Sequence, residues 1–199
     1  TIQTIKFGGG FYAAKIENIP DKKPIYVFNG FFMSMRGDYV KVGTSIHYYV
    51  IEWDPSTGSS TGSGTNPPIS WSTFRKEILG ATDPSIAIPT SLRGQIYSNW
   101  ETLGLSELPS TGSNGVHGSA SPLEGLSEKC NWLGSEIELD GFTKGLNICG
   151  VTTDTVIKWC KDEKIDDIGS IFDHFEDIDV DECYTKARAI ATAATATAT

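Results

Sequence analysis

The sequence predicts an α/β fold, and three observations point to it. β-compatible runs recur through the first fifty residues, and the last of them, Ser45 to Trp53, is dense in aromatic and β-branched side chains. Ser70 to Leu79 sets Trp71, Phe74 and Ile78 at helical spacing behind a serine that can cap a helix. Hydrophobic content of 39% in 199 residues is enough for one domain with a buried core and a small appendage.

Bulk composition excludes several classes of function. The net charge is −9, which argues against general nucleic-acid binding, since that needs a basic face. A nucleotide site needs only a few local cations and stays open. No apolar run approaches the ~20 residues that span a bilayer, and no signal peptide is visible. The chain begins with Thr1 rather than Met, which reads as a processed or incomplete chain. Four cysteines (Cys130, Cys149, Cys160, Cys183) show no metal-ligand spacing and allow either reduced thiols or two disulfides in any of three connectivities.

Thr1 to Phe7 alternates apolar and polar residues as a short strand, and Gly8-Gly9-Gly10 follows as a bend or bulge. The glycines are not a phosphate-binding loop, because no Gly-Lys-Ser/Thr follows them. Phe11 to Ile16 is a second strand, Ile19 to Lys22 a turn, and Pro24 to Phe28 a third β-rich run. Asn29-Gly30 between apolar runs is a hairpin signal. Arg36-Gly37-Asp38 is a tripeptide short enough to arise by chance. Pro55 to Pro68 is a Ser/Thr/Gly-rich loop without periodicity, whose hydroxyls suit O-linked sugars in an exported protein; no Asn-x-Ser/Thr sequon occurs.

The chemically specific stretch is Asn114-Gly-Val-His-Gly-Ser-Ala-Ser121. Upstream lie Leu79-Gly80-Ala81-Thr82-Asp83-Pro84 and Ser91-Leu92-Arg93-Gly94; downstream, Glu128 comes 11 residues after His117 and Trp132 soon follows. In combination and order these resemble the nucleoside diphosphate kinases, whose signature reads Asn-x-x-His-Gly-Ser-Asp-Ser, and the likeness runs from about Thr44 to Gly134. The resemblance implies a ferredoxin-like βαββαβ sandwich. Ser45 to Trp53 would be its central strand, Asn29 a helix cap, 82–93 the loop over the phosphates, Asn114 to Val116 a core strand delivering His117, and Pro122 to Trp132 the helix behind it.

The resemblance also implies a chemistry. His117 would take the γ-phosphate of a nucleoside triphosphate and pass it to a nucleoside diphosphate, because a neutral imidazole is a competent nucleophile near neutrality. Glu128 would fix its tautomer and Ser119 would bond that glutamate. Lys76, Thr82 and Arg93 would contact phosphates, Asn114 the sugar hydroxyl, and Mg²⁺ would arrive on the nucleotide. Three departures stand out. Lys76 fills a slot where the family has arginine, with Arg75 beside it. Ala120 replaces the signature's aspartate. The opening strand with its Lys-Pro-Asp, and the first helix, have no counterpart.

The implied organisation is a kinase-like domain over 1–134 with insertions at 54–69 and 95–113, an acidic helical appendage over 135–188, and an extended tail over 189–199. In the appendage, Phe142 to Leu146, Thr153 to Lys161 and Ile168 to Phe175 read as short helices. Asp177, Asp179, Asp181 and Glu182 read as the solvated acidic start of another. A calcium loop is disfavoured because the central glycine is missing and Arg188 stands at its twelfth place. Ala189 to Thr199 is almost wholly alanine and threonine. An extended tail of that kind suits head-to-tail self-association by strand donation, filling the slot of the missing strand. The alternative reading is therefore a structural subunit of an exported filament that reuses the kinase fold, and the thiols and hydroxyl-rich loop lean towards an extracellular location.

Overall fold

The structure, a computed structural model, describes residues 3–8, 11–53 and 69–197. The chain divides into two compact units, Thr1–Tyr49 and Val50–Thr199. The first contains β1 (Gln3–Gly8), β2 (Phe11–Ile16) and β3 (Ile25–Phe28), then α1 (Gly30–Val40). The strands form an antiparallel sheet in the order β1-β2-β3, with Ile5 opposite Ala13 and Ala14 opposite Val27. Phe7, Phe11 and Phe28 follow one another across it, with ring centroids 5.5 and 5.9 Å apart. Asn29-Gly30 leads into a helix rather than a hairpin.

Ser45 to Trp53 is not a strand, contrary to expectation: it has no regular structure, and Ile46, Tyr48, Tyr49, Val50 and Ile51 are exposed. β-propensity measures fit to a pleated surface beside other strands. Among the described residues no strand pairs with this segment, so propensity alone does not order it. The loop expected over Pro55 to Pro68 lies outside the described residues, as do Gly9 and Gly10.

In the second unit, α2 (Trp71–Thr73) starts at Ser70, whose hydroxyl accepts the Thr73 N–H at 3.0 Å. The helix then widens into a π-helical turn over Phe74–Leu79 and closes with the Gly80 N–H on the Arg75 carbonyl at 3.1 Å. Gly80 has φ 95° and ψ 166°, a conformation open essentially to glycine alone. A β-carbon there would lie 2.3 Å from Ser91 Oγ. Ser91 is buried and caps α3 (Leu92–Ser98), its Oγ accepting the Gly94 N–H. A chain reversal at Gly80 and a helix start at Ser91 are thereby packed against each other.

Five helices share one core: α4 (Pro122–Leu133), α5 (Gly141–Ile148), α6 (Thr153–Trp159), α7 (Ile171–Phe175) and α8 (Val180–Thr197). Between α6 and α7 runs the two-stranded ribbon of β4 (Lys164–Ile165) and β5 (Gly169–Ser170). Leu123 and Leu126 from α4 are buried with Leu146, Val156, Trp159, Ile171, Phe175, Cys183 and Ala187. Trp159 meets Phe175 edge-on at 5.8 Å between centroids. This common core is why no division falls at Gly134: the residues expected as an appendage complete the burial of the helix that follows His117. The element order also differs from βαββαβ, and what the described residues form is two small antiparallel sheets with several helices.

The Ala/Thr tail is helical through Thr197, not extended. Alanine has the highest helix propensity, and the threonines return their hydroxyls to carbonyls one turn back. Thr192 Oγ1 donates to Arg188 O at 2.8 Å and Thr195 Oγ1 to Ala191 O at 2.9 Å. All four cysteines are free. Burial pushes the Cys160 and Cys183 thiols up to about 12.

Replacing Gly80 tests the coupled turn. Gly80→Ala is expected to destabilise the protein by about 1–3 kcal/mol, from a strained backbone conformation together with the clash at Ser91. Denaturant unfolding measures this, and an unchanged midpoint would contradict the packing described.

Candidate functional site

His117 lies on a segment without a sheet. Asn114 to Val116 is not the expected core strand; the nearest pairing is the isolated bridge between Ser110 and Ser113. Bonds from side chains hold the segment instead. Arg93 spans it: Nη1 donates to Gly80 O at 2.6 Å and Nη2 to Val116 O at 2.8 Å. Asn114 Nδ2 donates to Thr82 O at 3.0 Å, and Trp71 Nε1 to Ser119 O at 2.8 Å. Gly118 allows close approach, since a β-carbon there would lie 2.3 Å from Leu79 Cδ1. Beside this contact Trp53 stacks on Phe74 at 5.1 Å between centroids and donates its own N–H to Ile69 O.

Helix α4 supplies the carboxylates. Ser121 caps it, accepting the Glu124 N–H at 3.1 Å, and Pro122 starts it with φ already helical. Glu124 reaches back to the Ala120 N–H at 2.7 Å, a capping box displaced by one residue. Glu128 lies one turn further along the same face. Its Oε1 is 2.6 Å from His117 Nε2, and its Oε2 accepts the Ser119 hydroxyl at 2.6 Å. The three residues assigned to catalysis are therefore assembled, with the His117 side chain 67% exposed and that of Glu128 33%.

Each partner shifts the other's protonation. The hydrogen bond to Glu128 raises the His117 imidazole above its ordinary value, against burial and the repulsion of Arg93. Burial pushes Glu128 up, but the bonds from His117 and Ser119 outweigh it and leave the carboxyl below its usual range. Glu124 moves the other way: burial raises it, and the bond from the Ala120 N–H only partly offsets that. Arg93 is lowered by burial and then by the charge of Arg75, and its Nε is buried without a hydrogen-bond partner among the described residues.

The residues assigned to the nucleotide sit around this trio in roles the sequence did not suggest. Arg93 and Asn114 are bonded to backbone, and Thr82 offers its carbonyl to Asn114. The Lys76 ammonium contacts Ser72 Oγ at 2.8 Å and lies 3.4 Å from Asp177 Oδ2. Arg75, not assigned a role beforehand, carries the stronger pairing: Nη1 is 3.0 Å from Glu176 Oε1 and 2.5 Å from Asp177 Oδ1. Asp177 and Asp179 are thus not simply solvated. Asp177 donates its N–H to Ala120 O at 3.0 Å, and Asp179 Oδ1 accepts the Trp71 N–H at 2.7 Å at the start of α2. Of the residues missed, Glu124 had a signal, the Ser-x-x-Glu spacing from Ser121. Arg75, Glu176 and Asp177 had none, because they meet only in the fold.

Among the described residues no three His, Cys, Asp or Glu side chains cluster to hold a metal ion, and no helix is long and apolar enough to cross a membrane. A groove of about 880 Å³ runs along α8, lined by Asp181, Tyr184, Arg188, Thr192 and Ala193, and His117 is not among its lining residues. No protein-family model matches the chain, and neither a curated protein nor a solved structure does.

The His117–Glu128 bond has a pH signature. His117 is expected to titrate above 6.5, and Glu128→Gln to lower its midpoint, read from the imidazole resonances by NMR. A midpoint indifferent to the substitution would mean the carboxylate does not hold the ring. In stability, His117 contributes fully below 6.5 and loses its contribution as pH rises through the raised folded value. Glu128 contributes above 4.5 and loses its share as pH falls through its depressed value.

Proposed function

We propose that the protein transfers phosphoryl groups between nucleotides through His117, as a nucleoside diphosphate kinase-like enzyme. The observation that supports this most is the carboxylate behind the ring. Glu128 engages Nε2 at 2.6 Å, and no hydrogen bond among the described residues engages Nδ1. In the neutral ring the proton then resides on Nε2 and the lone pair on Nδ1 faces outward, the tautomer a nucleophile needs.

The Nδ1 lone pair forms the N–P bond as the bond from the γ-phosphorus to its bridging oxygen breaks, releasing a nucleoside diphosphate. Positive charge builds on the imidazole, and Glu128, itself oriented by the Ser119 hydroxyl, stabilises it. The reverse displacement by a second diphosphate restores the ring. A Mg²⁺ ion would arrive on the nucleotide, carried mainly by its phosphate oxygens and water.

Incubation with γ-labelled ATP is the test. Acid-labile label on the wild-type chain, absent from His117→Asn and discharged by GDP, is the expected result. Glu128→Gln is expected to slow labelling by about 100-fold, a typical contribution from a positioned acid–base partner. The rate should also fall as pH drops below the raised imidazole value. No label on the wild-type chain would end the proposal.

A further inference from the structure

We propose that Glu176 and Asp177 act as an internal anion that competes with nucleotide phosphates for Arg75 and Lys76. The inference rests on the phosphotransfer reading and adds a control to it. A guanidinium flanked by an ammonium is the arrangement a polyphosphate seeks, and here both cations already face carboxylates. Arg75 Nη1 holds Glu176 Oε1 at 3.0 Å and Asp177 Oδ1 at 2.5 Å, and Asp177 Oδ2 lies 3.4 Å from Lys76 Nζ.

The placement is specific. Asp177 takes a left-handed conformation, φ 62°, which an aspartate tolerates. Its N–H is fixed on the carbonyl of Ala120, the residue after the serine that orients Glu128. Asp179, two residues on, is anchored to the Trp71 N–H. The acidic pair is thereby held beside the His117 segment by bonds that do not use its own carboxylates.

The pairing is also exchangeable. The Glu176 side chain is 49% exposed and that of Asp177 31%. Ion pairs at such exposure bind weakly, so a polyphosphate with several charges and bidentate oxygens can displace them. The carboxylates would tune affinity rather than abolish it.

Titration calorimetry of the full chain with tripolyphosphate, and separately with ADP, tests this on Glu176→Gln and Asp177→Asn. Asparagine keeps the left-handed backbone accessible at 177. Binding up to about fivefold tighter than wild type is expected for Glu176→Gln, which removes one exposed pair, and tighter still for Asp177→Asn, which removes two. The gain should vanish when Arg75→Met is combined with Glu176→Gln. Equal or weaker binding in Glu176→Gln, whose carboxylate pairs only with Arg75 among the described residues, would overturn the proposal and make the loop a docking strap, whatever Asp177→Asn does to folding. The readout needs no chemistry at His117. Tighter binding without phosphohistidine would leave this inference standing while the phosphotransfer reading falls, and label without a change in binding would do the reverse.

Discussion

Every buried amide and carbonyl needs a partner, and among the described residues no strand lies beside the His117 segment to supply one. That constraint shapes the site. Val116 O is met by Arg93, Ser119 O by the Trp71 indole, Ala120 N by Glu124 and Ala120 O by the Asp177 N–H. A sheet would have fixed the backbone by a ladder of uniform bonds. Here four separate elements do so: α3, α2, α4 and the loop before α8. The position of the imidazole therefore depends on the second unit being folded throughout, including the helices beyond Gly134.

Charge follows the same economy. The Arg93 guanidinium donates to two carbonyls, and its buried Nε has no partner among the described residues. Arg75, close enough to depress it, is balanced by Glu176 and Asp177. Two guanidinium groups can sit near each other in a chain of net charge −9 because one is capped by dipoles and the other by carboxylates. The histidine is raised above its ordinary value chiefly by its hydrogen bond to Glu128, while burial and the Arg93 charge pull the other way.

Sequence reading succeeded where local chemistry decides. Ser70 as a cap, Gly80 as a stop, the three N-terminal strands, and α5 to α7 all follow from propensity and capping, whereas α4 and the grouping of His117, Glu128 and Ser119 come from the family resemblance and from no spacing rule. It failed where a partner had to be inferred. Ser45 to Trp53 has the composition of a strand but none beside it. The Ala/Thr tail was read by analogy with donated strands, although alanine favours helix and threonine can bond back along one. The family resemblance assigns Arg93 to phosphates; its two carbonyls, Gly80 and Val116, lie 13 and 23 residues away and no local pattern announces them.

The raised thiols of Cys160, which caps the end of α6, and of Cys183 in α8 make the core a timepiece. Cys183 is fully enclosed, and both it and Cys160 remain protonated at physiological pH because burial pushes them to about 12, so neither attacks an electrophile while the helices stay together. Once the bundle opens, each regains ordinary reactivity. Alkylation at these two positions would therefore clock how often α6 and α8 part from their neighbours, without any label having to be introduced.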